Sequence, residues 1–227
     1  EIMEKEFRNQ YEKIAEQQSR SSVDIMLGGG KKDWRKIISN KDLYPHIQWL
    51  DSIKVPIDHS KERVVGLFSE EGMASAAAGR SPTTTEMAKK AIRYLSKEDE
   101  RFFLMIEESQ IDWASHSNDA GSIFKEMQSF NDLVNFCISY QQEHPDVLLV
   151  VTSDHETGGA AVHDGDKGHL DIRFTSFGHS ANFVPIWSMG PGSKNFAKMI
   201  DNSQVGKVFD YFVATKPQIS SAKHKKS

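Results

Sequence analysis

The apolar run Val147-Leu148-Leu149-Val150-Val151 leads through Thr152 and Ser153 into Asp154-His155 and then Glu156-Thr157-Gly158-Gly159. Five consecutive apolar residues have the pattern of a buried strand, and open α/β sheets bind ligands where parallel strands give out at their carboxyl ends. A carboxylate beside an imidazole at such a point is a donor set for zinc. Taken alone, the pair is as well explained by two hydrogen-bonded loop residues. A second run, Phe102-Phe103-Leu104-Met105-Ile106, ends in Glu107 and Glu108 and continues to Asp112 and His116. The i, i+4 spacing of those last two residues puts them on one face if a helix begins there, as paired histidines stand in zinc-binding helices. Third, Gly178-His179 lies just before Phe183-Val184-Pro185-Ile186-Trp187. Singly, His116 or His179 reads as an ordinary surface or hydrogen-bonded histidine, Asp112 as a helix N-cap and Glu107 as the partner of a lysine. Jointly, three strand-edge sites offer Glu107, Asp112, His116, Asp154, His155 and His179, an inventory that divalent-metal chemistry explains better than chance.

These segments resemble the alkaline phosphatase family. Phe102 through His116 is similar to its motif F-L-x-V-E-G-S-x-I-D-x-x-x-H, and Thr152 to Gly159 to T-A-D-H-E-T-G-G. His179, Val184-Pro185-Ile186-Trp187 and Gly190-Pro191-Gly192 resemble its H-T-x-x-x-V-P-V and Y-G-P-G segment, and Asp24 to Gly30 its D-V-x-L-G-G-G strand and turn. The matches run in family order from residue 24 to about residue 212. The resemblance implies hydrolysis of small-molecule phosphate monoesters through a phospho-serine intermediate with two Zn2+ and one Mg2+. On it, Asp112, His116 and His179 hold one zinc, Asp154 and His155 contribute to the second, and Glu107 helps to hold the magnesium. It also implies a homodimer in a periplasmic or secreted setting. Glu108 departs from the pattern, which has glycine there, and puts a second carboxylate beside Glu107.

In the family the serine nucleophile, a metal-bridging aspartate and a phosphate-binding arginine precede the D-V-x-L-G-G-G strand. This chain begins at Glu1, in the helical stretch just ahead of that strand. The resemblance therefore implies roughly the C-terminal half of a catalytic domain. The nucleophilic serine and the phosphate-binding arginine are expected upstream of Glu1, and no activity is expected of the chain alone. Ser81 and Ser109 are the internal candidates, and neither stands on the strand-to-helix elbow that exposes a nucleophile. Two alternatives stay open: a non-catalytic metal-binding chain without a nucleophile half, and a phosphodiesterase or phosphonate hydrolase of the same superfamily.

The elements that must position these residues follow from periodicity. Residues 3–19 carry Phe7, Tyr11, Ile14 and Ala15 at helical spacing. Asp24–Leu27 reads as a strand, with Gly28-Gly29-Gly30 as its turn. No Gly-Lys-Ser/Thr follows those glycines, so a nucleotide loop is disfavoured. Further strands are expected at Arg63–Phe68, 102–107, 147–152 and 183–189. Loops are expected over 70–82 and 157–181. Helices are expected from Glu86 to Leu95 behind Thr85 as N-cap, over 118–142, and over 204–214. Alternation of strands and helices predicts an α/β fold, a mostly parallel central sheet with helices on both faces, incomplete on the N-terminal side. Residues 1–215 form the domain portion, and the basic 216–227 read as a frayed tail.

The 227 residues suffice for one domain with a sizeable core. A net charge of -4 offers no electrostatic case for nucleic acid, and no apolar run approaches the ~20 residues of a membrane span. Cys137, the single cysteine, falls in an apolar helical pattern and reads as core.

Overall fold

The computed structural model describes residues 10–96, 101–166, 168 and 171–214. In chain order the elements are α1 (Tyr11–Ser19), β1 (Ile25–Gly28), α2 (Arg35–Ile38), β2 (Ile47–Leu50), β3 (Arg63–Leu67), α3 (Thr84–Leu95), α4 (Gln110–His116) and α5 (Ala120–Glu143). Then come β4 (Leu149–Thr152), β5 (Glu156–Thr157), β6 (Ala161–His163), β7 (Asp171–Arg173), β8 (His179–Ser180), β9 (Ile186–Met189) and α6 (Asn202–Ala214). Glu1, residues 3–9 of the first expected helix and the basic tail 216–227 lie outside the described residues.

β3 is the centre of a three-stranded parallel sheet ordered β1-β3-β2. Because side chains alternate along a strand, its adjacent Val64 and Val65, both essentially inaccessible, serve opposite faces. Val65 packs with Ala15, Trp34, Ile37 and Ile47. Val64 packs with Ile25, Leu50, Ala91 and Tyr94, the last two from α3. Helices thus cover both faces of this sheet, and the protein is a mixed α/β fold with a parallel sheet. Fully burying one such apolar side chain contributes roughly 1.5–3 kcal/mol. The glycine turn after β1 meets the chain after β3: Gly30 N–H donates to Glu71 O at 2.7 Å. A Cβ on Gly29 would overlap that same oxygen, so close backbone approach explains the glycines without a nucleotide.

Helix α3 begins slightly earlier than expected, at Thr84. Its N-cap is Thr83, not Thr85: the Thr83 hydroxyl accepts from Glu86 N at 3.1 Å while the Glu86 carboxylate accepts from Thr83 N at 2.8 Å. This reciprocal capping box outcompetes a lone threonine. Helices α4 and α5 are separate elements. Asn118 between them takes a left-handed φ of 52°, a conformation asparagine tolerates better than most residues, and Asp119 caps α5 through Ser122 N at 3.0 Å.

Strand β4 pairs with β9 antiparallel, Thr152 opposite Ile186. A parallel neighbour requires a crossover connection. Here small strand pairs, β5 with β8 and β6 with β7, carry the chain out and back instead, so it returns running the other way. The region 157–181, expected to be irregular, is mostly so among the described residues, interrupted by these short strand pairs. The expected strand 102–107 does not form. Its burial alternates residue by residue, and Leu104 packs on the core of α3 and β3. No backbone hydrogen bond ties these residues to a neighbour among the described residues. Sequence periodicity reports side-chain alternation, whereas a strand also needs a partner.

Candidate metal centre

Three elements bring the ligand candidates together. Asp112 and His116 occupy successive turns of α4. His155 follows β4, and His179 opens β8. The pairing of β5 with β8 sets Thr157 opposite His179, and so fixes the His155 and His179 segments in register. Gly158 is the crossing point. Its N–H donates to Gly178 O at 2.9 Å, and its carbonyl accepts from Thr175 N and Ser176 N, both at 3.0 Å. With φ at +88° and a would-be Cβ 3.1 Å from Ser115 O, only glycine fits without strain.

Asp112, His116 and His179 converge, with ligand atoms all within 4.8 Å of one another, although they are up to 67 positions apart in sequence. The edges of the triangle are 3.1 Å from His116 Nε2 to His179 Nε2, 3.5 Å from Asp112 Oδ1 to His116 Nε2, and 3.6 Å from Asp112 Oδ1 to His179 Nε2. Ligands about 2.05 Å from a tetrahedral zinc are separated by about 3.3 Å. The residues therefore fit such an ion. Beside them, Asp154 Oδ2 lies 3.2 Å from His155 Nε2, an edge of the same length, and the His155 ring stacks on that of His179 with centroids 3.6 Å apart. His155 Nδ1 is 4.0 Å from Asp112 Oδ1, so the two groups of ligands adjoin.

Hydrogen bonds set which ring nitrogen faces the centre. Phe177 O can only accept, so His116 Nδ1, 2.5 Å away, carries the proton and leaves Nε2 as the ligand atom. The Thr157 hydroxyl donates to Asp112 Oδ1 at 2.5 Å. Its single proton spent there, Thr157 accepts from His155 Nδ1 at 3.1 Å, which again leaves Nε2 bare. Ring partners of this kind orient metal-binding histidines. Thr157 was not singled out as a site residue by sequence. The available signal was its i+2 spacing from His155, which puts both side chains on one face of an extended chain.

Glu107 is exposed at the end of the unpaired segment and does not join the ligand triangle among the described residues. Glu108, the carboxylate where glycine was expected, turns the other way. Its side chain is buried, ion-paired with Arg80, and accepts from Ser129 Oγ at 3.1 Å. It neither crowds Glu107 nor adds a donor beside it. The stretch upstream of Glu1, where the nucleophilic serine and the phosphate-binding arginine are expected, lies outside the described residues, which begin at Gln10.

The sheet ends and the adjoining helix thus converge an aspartate and two histidines, with a second aspartate–histidine pair alongside, a donor set for divalent metal ions. The alkaline phosphatase family model matches residues 48–170, more than half of the chain. The chain belongs to the alkaline phosphatase family. It is 25% identical over 264 residues to alkaline phosphatase 3 of Bacillus subtilis, covering 82% of this chain and 57% of that protein. It is 32% identical over 148 residues to alkaline phosphatase 4 of the same organism, covering 62% of this chain and 32% of that protein. Among solved structures, a variant of the TAB5 alkaline phosphatase with Mg bound in its M3 site superposes with a TM-score of 0.77 at 27% identity, over 91% of this chain and 65% of that one. A cold-active alkaline phosphatase from Shewanella sp. superposes at 0.81 with 22% identity, a likeness of fold, over 92% of this chain and 70% of that one. The chain spans a little over half the length of the first of these curated relatives.

Proposed function

We propose that this polypeptide is the ligand-bearing part of a hydrolase of phosphate monoesters that works through a phospho-serine intermediate, with two zinc ions and one magnesium. The observation that carries this reading is the near-equilateral triangle of Asp112, His116 and His179, whose edges match a tetrahedral zinc. In the reading, Asp154 and His155 supply two donors for the second zinc, and Glu107 offers its exposed carboxylate to the magnesium. When bound, two adjacent ions supply Lewis acidity and lower the pKa of bound water toward about 7.

The chain's own residues hold that constellation. Thr157 ties Asp112 to His155, Phe177 O orients His116, and Ser180 donates to Glu156 across β5 and β8. The serine hydroxyls flanking the centre are already engaged: Ser153 donates to His155 O at 2.7 Å, Ser115 to Ile111 O at 2.8 Å and Ser117 to Trp113 O at 3.1 Å. The reading therefore takes the nucleophilic serine, and the arginine that clamps phosphate, from polypeptide upstream of Glu1. Family likeness supports a homodimer and a periplasmic or secreted setting. No helix among the described residues is long and apolar enough to cross a membrane.

The test is zinc retention and turnover of a chromogenic phosphate monoester by the longer protein so implied. His155→Ala and His179→Ala should each release zinc and slow turnover by orders of magnitude. Wild-type activity of either variant in metal-limited buffer would overturn the assignment.

A further inference from the structure

We propose that Arg80 is a positioning residue for the metal centre, acting through two buried carboxylates, Glu108 and Glu126. The inference rests on the metal-centre reading above and goes beyond it. Arg80 and both glutamates are almost wholly enclosed, with side chains 4%, 3% and 1% exposed. Arg80 Nη1 donates to Glu108 and to Thr84 Oγ1 at 3.0 Å, Nη2 donates to Glu126, and Nε donates to Ala74 O at 2.9 Å. Glu126 also accepts from Ala76 N at 2.6 Å.

The placement of the three residues gives the cluster its consequence. Glu108 directly follows Glu107 and precedes Asp112 by one helical turn, so its side chain anchors the entry to α4. Gln110 makes a second tie to the same loop, donating to Met73 O at 3.0 Å. Glu126 and Ser129 belong to α5, the helix packed against α4. One guanidinium therefore joins the 73–84 loop, the ligand-bearing segment and the helix behind it. The segment 102–107 has no ladder to hold it among the described residues, so side-chain anchoring at Glu108 sets its axial position. Buried ion pairs add little net stability, yet loss of one partner strands the other in a low-dielectric interior. Here loss of Arg80 strands two acids. The cheapest relief is for Glu108 to swing toward solvent, and that turns Glu107 and the first turn of α4.

A purely structural arginine exists in the same chain for comparison. Arg63 is also buried, and it donates to the carbonyls of Gln18, Ser19 and Val23 around the end of α1. None of these partners belongs to the ligand-bearing segments.

The experiment is Co2+ titration of the 227-residue chain, read by visible absorption, which reports both affinity and ligand geometry, with circular dichroism to verify folding. Glu108→Gln and Arg80→Met should bind Co2+ at least about tenfold more weakly, the range for partners behind metal ligands, and with an altered spectrum. Arg63→Lys should lower thermal stability and leave affinity and spectrum at wild-type values. Should Arg80→Met fail to fold, Arg80→Lys decides in its place, since lysine keeps the charge but cannot bridge both acids with a planar fork. Folded Arg80 and Glu108 variants with wild-type affinity and spectrum would overturn the positioning role and leave the metal centre standing. An equal loss in Arg63→Lys would likewise overturn it, by showing that affinity follows global stability. A wild-type chain that binds no Co2+ would overturn both readings.

Discussion

Thr157 is where two candidate ligands meet on one hydroxyl. Its hydroxyl donates to Asp112 and accepts from His155, so a single side chain determines the ring orientation of one ligand and holds the carboxylate of another. Thr157→Val keeps the shape and removes both hydrogen bonds. It should weaken zinc binding by about 10- to 100-fold, measured by competition with a chromogenic chelator, while Thr157→Ser restores most of the loss. Unchanged affinity in Thr157→Val would show that Asp112 and His155 orient themselves. At this scale the converging residues Asp112, His116 and His179 were legible in the sequence because acid and imidazole stand near the ends of apolar runs. Thr157, the Phe177 carbonyl and Arg80 were not. Apart from the i+2 contact of Thr157 with His155, each acts on a residue 28 to 61 positions away, and such pairings leave no local pattern of residue types.

Elements hold the centre by their ends, and the caps can be tested one at a time. The Ser122 hydroxyl, with the Ser122 amide beside it, holds the Asp119 carboxyl below the usual aspartate range. A carboxyl with a depressed folded-state pKa stabilises above its unfolded value, and that contribution is lost as pH falls through the folded value. The thermal stability gap between wild type and Asp119→Ala should therefore be constant from pH 7 to about pH 5 and close progressively below about pH 4. A gap that persists unchanged at pH 3 would refute a role for the charged cap. Gly158→Ala tests the crossing between the His155 and His179 segments. Left-handed backbone costs a residue with a Cβ about 1–2 kcal/mol, and crowding against Ser115 O adds to it. A melting temperature lowered by several degrees is expected. Most long elements were legible from their periodicity. The four short strands from β5 to β8 were not, since two or three residues are too few to show a period.

The molecule carries several large apolar side chains on its surface. Phe103 and Met105 stand 55% and 75% exposed on the unpaired segment, and Phe183 and Trp187 stand 86% and 61% exposed near β9. Surfaces of this kind mark association sites or aggregation liabilities. The isolated 227-residue chain should therefore self-associate on size-exclusion chromatography. With zinc and magnesium supplied, it should show no appreciable turnover of a phosphate monoester. Turnover comparable to that of an intact alkaline phosphatase would show that a nucleophile lies within these residues after all. The parallel sheet and its two helical layers were legible in the sequence. The gap beside residues 102–107 among the described residues was not, because side-chain periodicity carries no record of whether a strand has a partner.

That gap leaves a mark at the level of single amides. Between Phe102 and Glu107 the side chains alternate as in a sheet while the backbone N–H groups have no backbone acceptor among the described residues. Burial and amide protection, which ordinarily rise together, are uncoupled here. In deuterium exchange these amides should label within seconds, beside an α5 that labels over far longer times. A peptide or protein strand that seats in the gap would then announce itself by slowing those few amides before any other part of the molecule changes.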